Sequence, residues 1–256
     1  DIQRSRGLGD VYKRQSTVGV TNFLPSFMGT HLEKEIKALE GVLNNPNKPV
    51  AAIIGGSKVS TKIDVINFLL KKMDIIIIGG AMANTFVAAK GLDVGKSLFE
   101  KECIDLAKEL IEKSQNNNCN LILPTDFIVS KNLKKNAEYT TANFDSLPHN
   151  MMALDIGPKS IELINKNIYN CKTILWNGPL GAFETYPFDK GTNKVASHVS
   201  SLTKQKKILS VAGGGDTVSA LNNAKVLNDF SYVSTAGGAF LEWLEGKVLP
   251  GIEPIS

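Results

Sequence analysis

The chain has 256 residues, 43% of them hydrophobic and 21% charged, with a formal net charge of +4. That composition fits an ordinary globular protein, and its scattered lysines, without a basic run interleaved with aromatics, argue against a nucleic-acid partner. No apolar run approaches the length of a membrane span, and the three cysteines and three histidines form neither CxxC nor HExxH, so the expectation is free thiols in a reducing, cytoplasmic setting without zinc.

Residues 1–15 follow neither helical nor strand periodicity and show no apolar leader; they read as a disordered or unassigned head. Residues 16–29 read as a connector in which Val18, Val20 and Leu24 pack. Thr30 is placed to cap a helix over His31–Leu43, where Leu32, Ile36, Leu39 and Leu43 recur at helical spacing. A polar turn with Pro46 precedes the first of five aliphatic runs that end on glycines or on Asn-Gly-Pro. These are Ala51–Lys58, Asp74–Met82, Thr173–Glu184, Ile208–Thr217 and Tyr232–Phe240.

Between the runs the pattern turns helical. Helices are expected over Lys58–Lys72, Ala81–Lys90, Leu98–Ser114 (capped by Ser97), Ser160–Asn167, Lys190–Thr203 and Thr217–Ala224, with a last one from Gly238. Asn120–Ser130 reads as one further strand, followed by a hairpin or excursion over Lys131–Asn143. A buried strand that stops on glycine and hands over to a helix is the unit of an open parallel sheet. The fold expected for residues 30–256 is therefore a three-layer α/β/α Rossmann-like domain with a mostly parallel sheet. Such sheets bind ligands at the carboxyl ends of their strands, where helix N-termini offer free N–H groups.

Two familiar phosphate motifs fail. A GxGxxG begins at Gly213 and Gly215 but meets Val218, and Gly91–Ser97 is one residue short of a P-loop. What remains is less generic. Lys58 and Lys62, four apart at the expected start of a helix, would repel each other and oppose its dipole unless an anion sat between them; the plain reading is that both extend into solvent. Gly213-Gly214-Gly215-Asp216-Thr217 lets backbone approach a ligand closely. Asp216 there is either a helix N-cap or a carboxylate for Mg²⁺ on nucleotide phosphates. Asn177-Gly178-Pro179 and Glu184 follow a strand carrying Trp176; Glu184 is either a ribose ligand or an ordinary loop carboxylate.

The blocks GGSKVSTKI, ILWNGPLGAFE, VAGGGDT and STAGGAFLEWLEGKVLPG, in this order, resemble the carboxyl-terminal, nucleotide-binding half of phosphoglycerate kinase. The resemblance implies reversible phosphoryl transfer between 1,3-bisphosphoglycerate and ADP, giving 3-phosphoglycerate and ATP with Mg²⁺. It implies Lys58 at the transferring phosphoryl group, with Gly214 and Gly215 as backbone donors. Lys62 and Thr217 would meet nucleotide phosphates, Asp216 the magnesium and Glu184 the ribose. Asn177 and Pro179 would shape the nucleotide pocket, and Gly79, Gly80 and Ala153 the adenine slot. Ala81 and Ala153 stand where the family has glycine, each adding one methyl near that slot.

The resemblance also implies an amino-terminal lobe, outside this sequence, that holds 3-phosphoglycerate, with His31–Leu43 as the helix between lobes. On that basis the chain should bind ATP or ADP, act poorly alone, and be monomeric when complete. The alternatives are a noncatalytic nucleotide-binding module, a dinucleotide-dependent oxidoreductase domain, and a fragment that associates with itself.

Overall fold

Six of the aliphatic segments form one parallel sheet in this computed structural model, which describes residues 18–249 and residue 252. They are Val50–Ile54 (β1), Ile75–Ile78 (β2), Asn120–Ile122 (β3), Thr173–Asn177 (β7), Leu209–Ala212 (β8) and Tyr232–Val233 (β9), in the order β3-β2-β1-β7-β8-β9. The glycine-ended strands are the contiguous five of that order. Asp126–Ser130 (β4), Thr140–Asn143 (β5) and Met152–Ile156 (β6) form a separate antiparallel sheet, β5-β4-β6.

Burial follows the two-residue period of a strand. Val50, Ala52 and Ile54 of β1 belong to one core, and Ala51 and Ile53 to the other. Helices α1 (Thr30–Leu43), α2 (Ile63–Leu69), α3 (Met82–Ala89), α4 (Ile104–Asn116) and α8 (Gly238–Leu244) supply the first core. Helices α5 (Pro158–Tyr169), α6 (Lys190–Lys204) and α7 (Gly215–Asn223) supply the second. With both faces covered, β1 is buried throughout. The three-layer architecture is the one expected. All three cysteines are free and buried, and no helix among the described residues is long and apolar enough to cross a membrane.

Several local expectations are corrected. The head expected over residues 1–15 lies outside the described residues. Val20 and Leu24 do not pack; they are exposed, as are Phe23 (86%) and Phe27 (87%), because nothing in the described chain covers them. Thr30 is the first residue of α1, and Gly29 takes the cap position. The helix expected from Lys58 begins only at Ile63, so Lys58 and Lys62 do not stand one helical turn apart. The segment before it is a turn, held where Glu100 accepts from the Ser60 N–H and hydroxyl. Ser97 does not cap a helix: its hydroxyl accepts from the Ala153 N–H at 2.9 Å, and the helix starts after a 3₁₀ turn at Lys101–Cys103. The strand expected over Asn120–Ser130 is two strands in two sheets, with Pro124 between them. Asp216 is not an N-cap; Gly214 holds that position and Asp216 lies in the first turn of α7.

Candidate functional site

The sheet order reverses between β1 and β7. Chain connections run outward from that pair in opposite directions, which leaves a crevice above their carboxyl ends. The loops leaving β1 and β7 cross there in backbone contact. The Gly55 N–H donates to the Asn177 carbonyl at 3.0 Å, and a Cβ on Gly55 would overlap the Pro179 carbonyl oxygen. Gly178, at φ +105°, leaves no more room, since its own Cβ would overlap the Gly55 carbonyl. The loop after β2 joins them: Gly80 donates to the Leu180 carbonyl at 2.9 Å, and Met82 to the Gly56 carbonyl at 3.0 Å.

Beside this knot lies a polar cluster. Lys62 Nζ donates to Asn177 Oδ1, while Asn177 Nδ2 donates to the Gly213 carbonyl at 2.8 Å. Thr217 Oγ1 accepts from the Gly178 N–H at 2.7 Å. Asn177 is buried and both ends of its amide are engaged, so it positions Lys62 against the start of α7. Burial pulls the Lys62 pKa down to about 8, a fall that the charges of Asp216 and Glu245 oppose. Three features thus converge on one point: an ammonium, an exposed carboxylate at Asp216, and the N-terminus of α7, whose first N–H groups lack intrahelical partners.

The cluster adjoins a cavity of about 340 Å³. Gly56, Gly80, Pro179 and Asp216 line one part of it, and an apolar slot is formed by Leu98, Phe127, Leu133, Met152–Leu154, Leu180 and Phe183. Of the residues singled out in the sequence, Gly80, Ala81, Ala153, Pro179, Glu184 and Asp216 line this cavity. Lys62, Asn177, Gly214 and Thr217 belong to the adjacent cluster; a Cβ on Gly214 would lie 2.7 Å from Asn177 Nδ2. Gly215 is exposed with open space around it. Gly79 lies behind the wall: its N–H donates to the Ile54 carbonyl, and a Cβ there would overlap Leu180. Lys58 stands apart. It is exposed, has no side-chain hydrogen bond among the described residues, and its charge acts on Glu100.

The structure adds residues the sequence did not single out. Asp155 is buried at the cavity wall, accepting from the Gly191 N–H at 2.6 Å and the Ile156 N–H at 2.9 Å. Burial pushes its pKa up to about 8 against the pull of those two donors. Asn84 also lines the cavity, its Nδ2 donating to the Leu98 carbonyl at 3.0 Å. Nothing in the sequence around Asp155, within β6, or around Asn84 marks either residue.

Residues 10–247 match the family model described as Phosphoglycerate kinase. The chain is 51% identical over 238 residues to the phosphoglycerate kinase of Rhizobium meliloti (strain 1021), covering 93% of the chain and 60% of that relative. Identity to the Brucella melitensis protein of the same name is 53%, with the same coverage. Among solved structures, phosphoglycerate kinase from Coxiella burnetii superposes with a TM-score of 0.89 at 44% identity, over 93% of this chain and 61% of that one. The Pyrococcus horikoshii OT3 enzyme gives 0.78 at 27% identity, over 94% and 60%. The chain thus spans about 60% of the length of the curated relatives it matches.

Proposed function

The chain belongs to the phosphoglycerate kinase family, and from that premise we propose that its cleft holds ADP or ATP as the nucleotide site of that kinase. The whole reaction would move a phosphoryl group between 1,3-bisphosphoglycerate and ADP, giving 3-phosphoglycerate and ATP. The observation that carries the reading is the convergence of Lys62, fixed by Asn177, with the glycine-opened start of α7 beside an apolar slot. Charge stabilisation at one end and a flat apolar wall at the other are what a nucleotide requires. The dinucleotide-oxidoreductase alternative lapses with family membership.

In this reading Lys62, Thr217 and the N–H groups of Gly214 and Gly215 hold phosphate oxygens. Glu184, exposed at the cavity edge, meets the ribose. Pro179, Gly80 and Ala153 flank the base, and Gly79 supports that wall from behind. Asn177 acts by aiming Lys62. Lys58 is exposed, which leaves it able to swing toward a transferring phosphoryl group. Phosphoryl transfer asks a protein mainly for positioning and charge neutralisation, and these groups supply both.

Among the described residues no group of three or more His, Cys, Asp and Glu could hold a metal unaided. Asp216 is exposed beside the phosphate cluster, which suits Mg²⁺, commonly held by one or two carboxylates plus phosphate oxygens. Bound there, the ion would neutralise phosphate charge. The family resemblance assigns the phosphoglycerate contacts to a lobe outside this sequence, so the chain as given should bind nucleotide and turn over slowly. Holding two reactants together is worth roughly 7–11 kcal/mol of barrier.

The test is a calorimetric titration of Mg-ADP into the chain and into Asp216→Ala. Binding that weakens at least about tenfold in the variant, with a smaller change for metal-free ADP, supports the site and the metal role. A folded chain that takes up no nucleotide would end the proposal.

A further inference from the structure

The turn between β1 and α2 carries both lysines of the phosphate end, and a side chain from elsewhere in the fold holds it. Gly56 and Ser57 of that turn line the cavity, Lys58 is exposed just beyond them, and Val59 is buried in the core. Glu100 accepts from the Ser60 N–H at 3.0 Å and from the Ser60 hydroxyl, which engages both of its carboxylate oxygens. Glu100 is itself braced on α3. Its N–H donates to Thr85 Oγ1 at 3.1 Å, and the Leu98 carbonyl, just before it in the chain, accepts from Asn84 Nδ2 at 3.0 Å. Thr85 and Asn84 are both buried, so the turn that leaves β1 is fixed to the helix that follows β2. A turn held only for the fold would not need a charge there. A glutamine could make both bonds, its oxygen accepting from the N–H and its amino group donating to the hydroxyl oxygen. The carboxylate adds a negative charge beside Lys58. Partial burial opposes ionisation of Glu100, but the bonds from Ser60 and Val59 and the charge of Lys58 outweigh it and hold the carboxyl below its ordinary range.

We infer that Glu100 is a positioning residue for phosphoryl transfer: through Ser60 it fixes the turn, and its charge holds Lys58 back until a terminal phosphate competes for the ammonium. The inference rests on the nucleotide reading above and deepens it. Any phosphate that draws on Lys58 must overcome the attraction between Lys58 and Glu100. ADP lacks the phosphoryl group that Lys58 would follow, so this opposition falls on ATP. Glu100 thereby sets how tightly the chain holds ATP relative to ADP, without touching either nucleotide. Lys62 is governed separately, because Asn177 aims it.

The experiment measures dissociation constants of Mg-ADP and Mg-ATP by calorimetry for the unmodified chain, Glu100→Gln, Lys58→Met and the double variant. Glu100→Gln can keep both bonds to Ser60, so it should melt with the unmodified chain. Its affinity for ATP relative to ADP should rise about two- to fivefold, the range set by a partly exposed charge pair. In the Lys58→Met background the same substitution should leave that ratio unchanged. An unchanged ratio in Glu100→Gln would overturn the assignment. So would an equal rise without Lys58, which would reflect only the field of the carboxylate on the phosphates. Loss of the fold in Glu100→Gln would overturn it as well, by tying the carboxylate to the fold alone. Failure of both nucleotides to bind the unmodified chain would remove the nucleotide reading, and this inference with it.

Discussion

Glu35 and Tyr232 stand 197 residues apart and share a hydrogen bond, Tyr232 Oη donating to Glu35 Oε2 at 2.5 Å. Ser234 Oγ donates to the other oxygen of the same buried carboxyl group. These bonds tie α1 to β9 and to the start of the loop that leads from it into α8. Burial pushes the Tyr232 hydroxyl up to about 12, and its bond to Glu35 and the charge there push the same way, so it remains a donor at neutral pH.

Removing this carboxyl group should therefore cost stability. Glu35→Ala strands two hydroxyls, and we expect a loss of about 2–3 kcal/mol in urea denaturation, with about 1 kcal/mol for Tyr232→Phe. A double-mutant cycle should give a coupling of about 1 kcal/mol between the two. Additive losses would mean that the hydrogen bond contributes nothing of its own.

Lys62 should give nucleotide binding an alkaline limit. Its pKa is lowered to about 8 by burial, so the ammonium proposed to meet phosphate is present below that pH and lost above it. ADP affinity should fall between pH 7 and pH 9, less steeply in Lys62→Arg, whose guanidinium stays charged. On folding the sign is opposite: the unfolded lysine holds more protons between about 8 and 10.5, so this residue's contribution to stability rises over that window. Calorimetry across the pH range settles the first point; a flat profile in the unmodified chain would remove Lys62 from the phosphate site.

Asp155 should make the fold less stable as pH rises. Its pKa climbs from 3.8 in the unfolded chain to about 8 in the folded one, chiefly through burial and with a small push from Asp189. Between those values the folded state holds the extra proton, so stability is full below about 4, declines as pH rises and levels off above about 8. The slope is at most about 1.4 kcal/mol per pH unit. Asp155→Asn should flatten the thermal-melting profile between pH 5 and 8, and an identical slope in the variant would refute the assignment.

Two glycines near the phosphate cluster should respond oppositely. Gly178→Ala combines a φ of +105° with overlap on the Gly55 carbonyl, and should cost about 2–4 kcal/mol or prevent folding. Gly215 faces open space at a helix start, so Gly215→Ala should melt within a few degrees of the unmodified chain. If Gly215 keeps backbone clear for a phosphate, the same variant should lose ADP affinity several-fold. Unchanged affinity would reduce the glycine triplet to a turn.

Much of this architecture was legible from local pattern. Alternating burial, runs of β-branched residues and glycine stops are properties of a few neighbouring residues, and they identified five strands of one parallel sheet and the end of it where the cavity lies. The motif blocks also marked Asp216, Thr217, Asn177 and Glu184 from nearby residues alone. Element starts were less legible where a distant partner intervened. Ser97 looks like a cap until its hydroxyl is drawn to Ala153, and Lys58–Lys62 look helical until Glu100 holds Ser60.

What only the tertiary structure decided is which of these residues meet. Strand order puts β1 beside β7 although more than a hundred residues separate them, so Lys62 reaches Asn177 across 115 positions. The loop after β7 packs against Asp155 at Gly181, and the Gly191 N–H of α6 meets the same buried carboxyl group. Periodicity fixes which way a side chain faces relative to its own strand or helix. Its partner, its burial and therefore its pKa depend on the sheet order, which brings segments distant in sequence side by side.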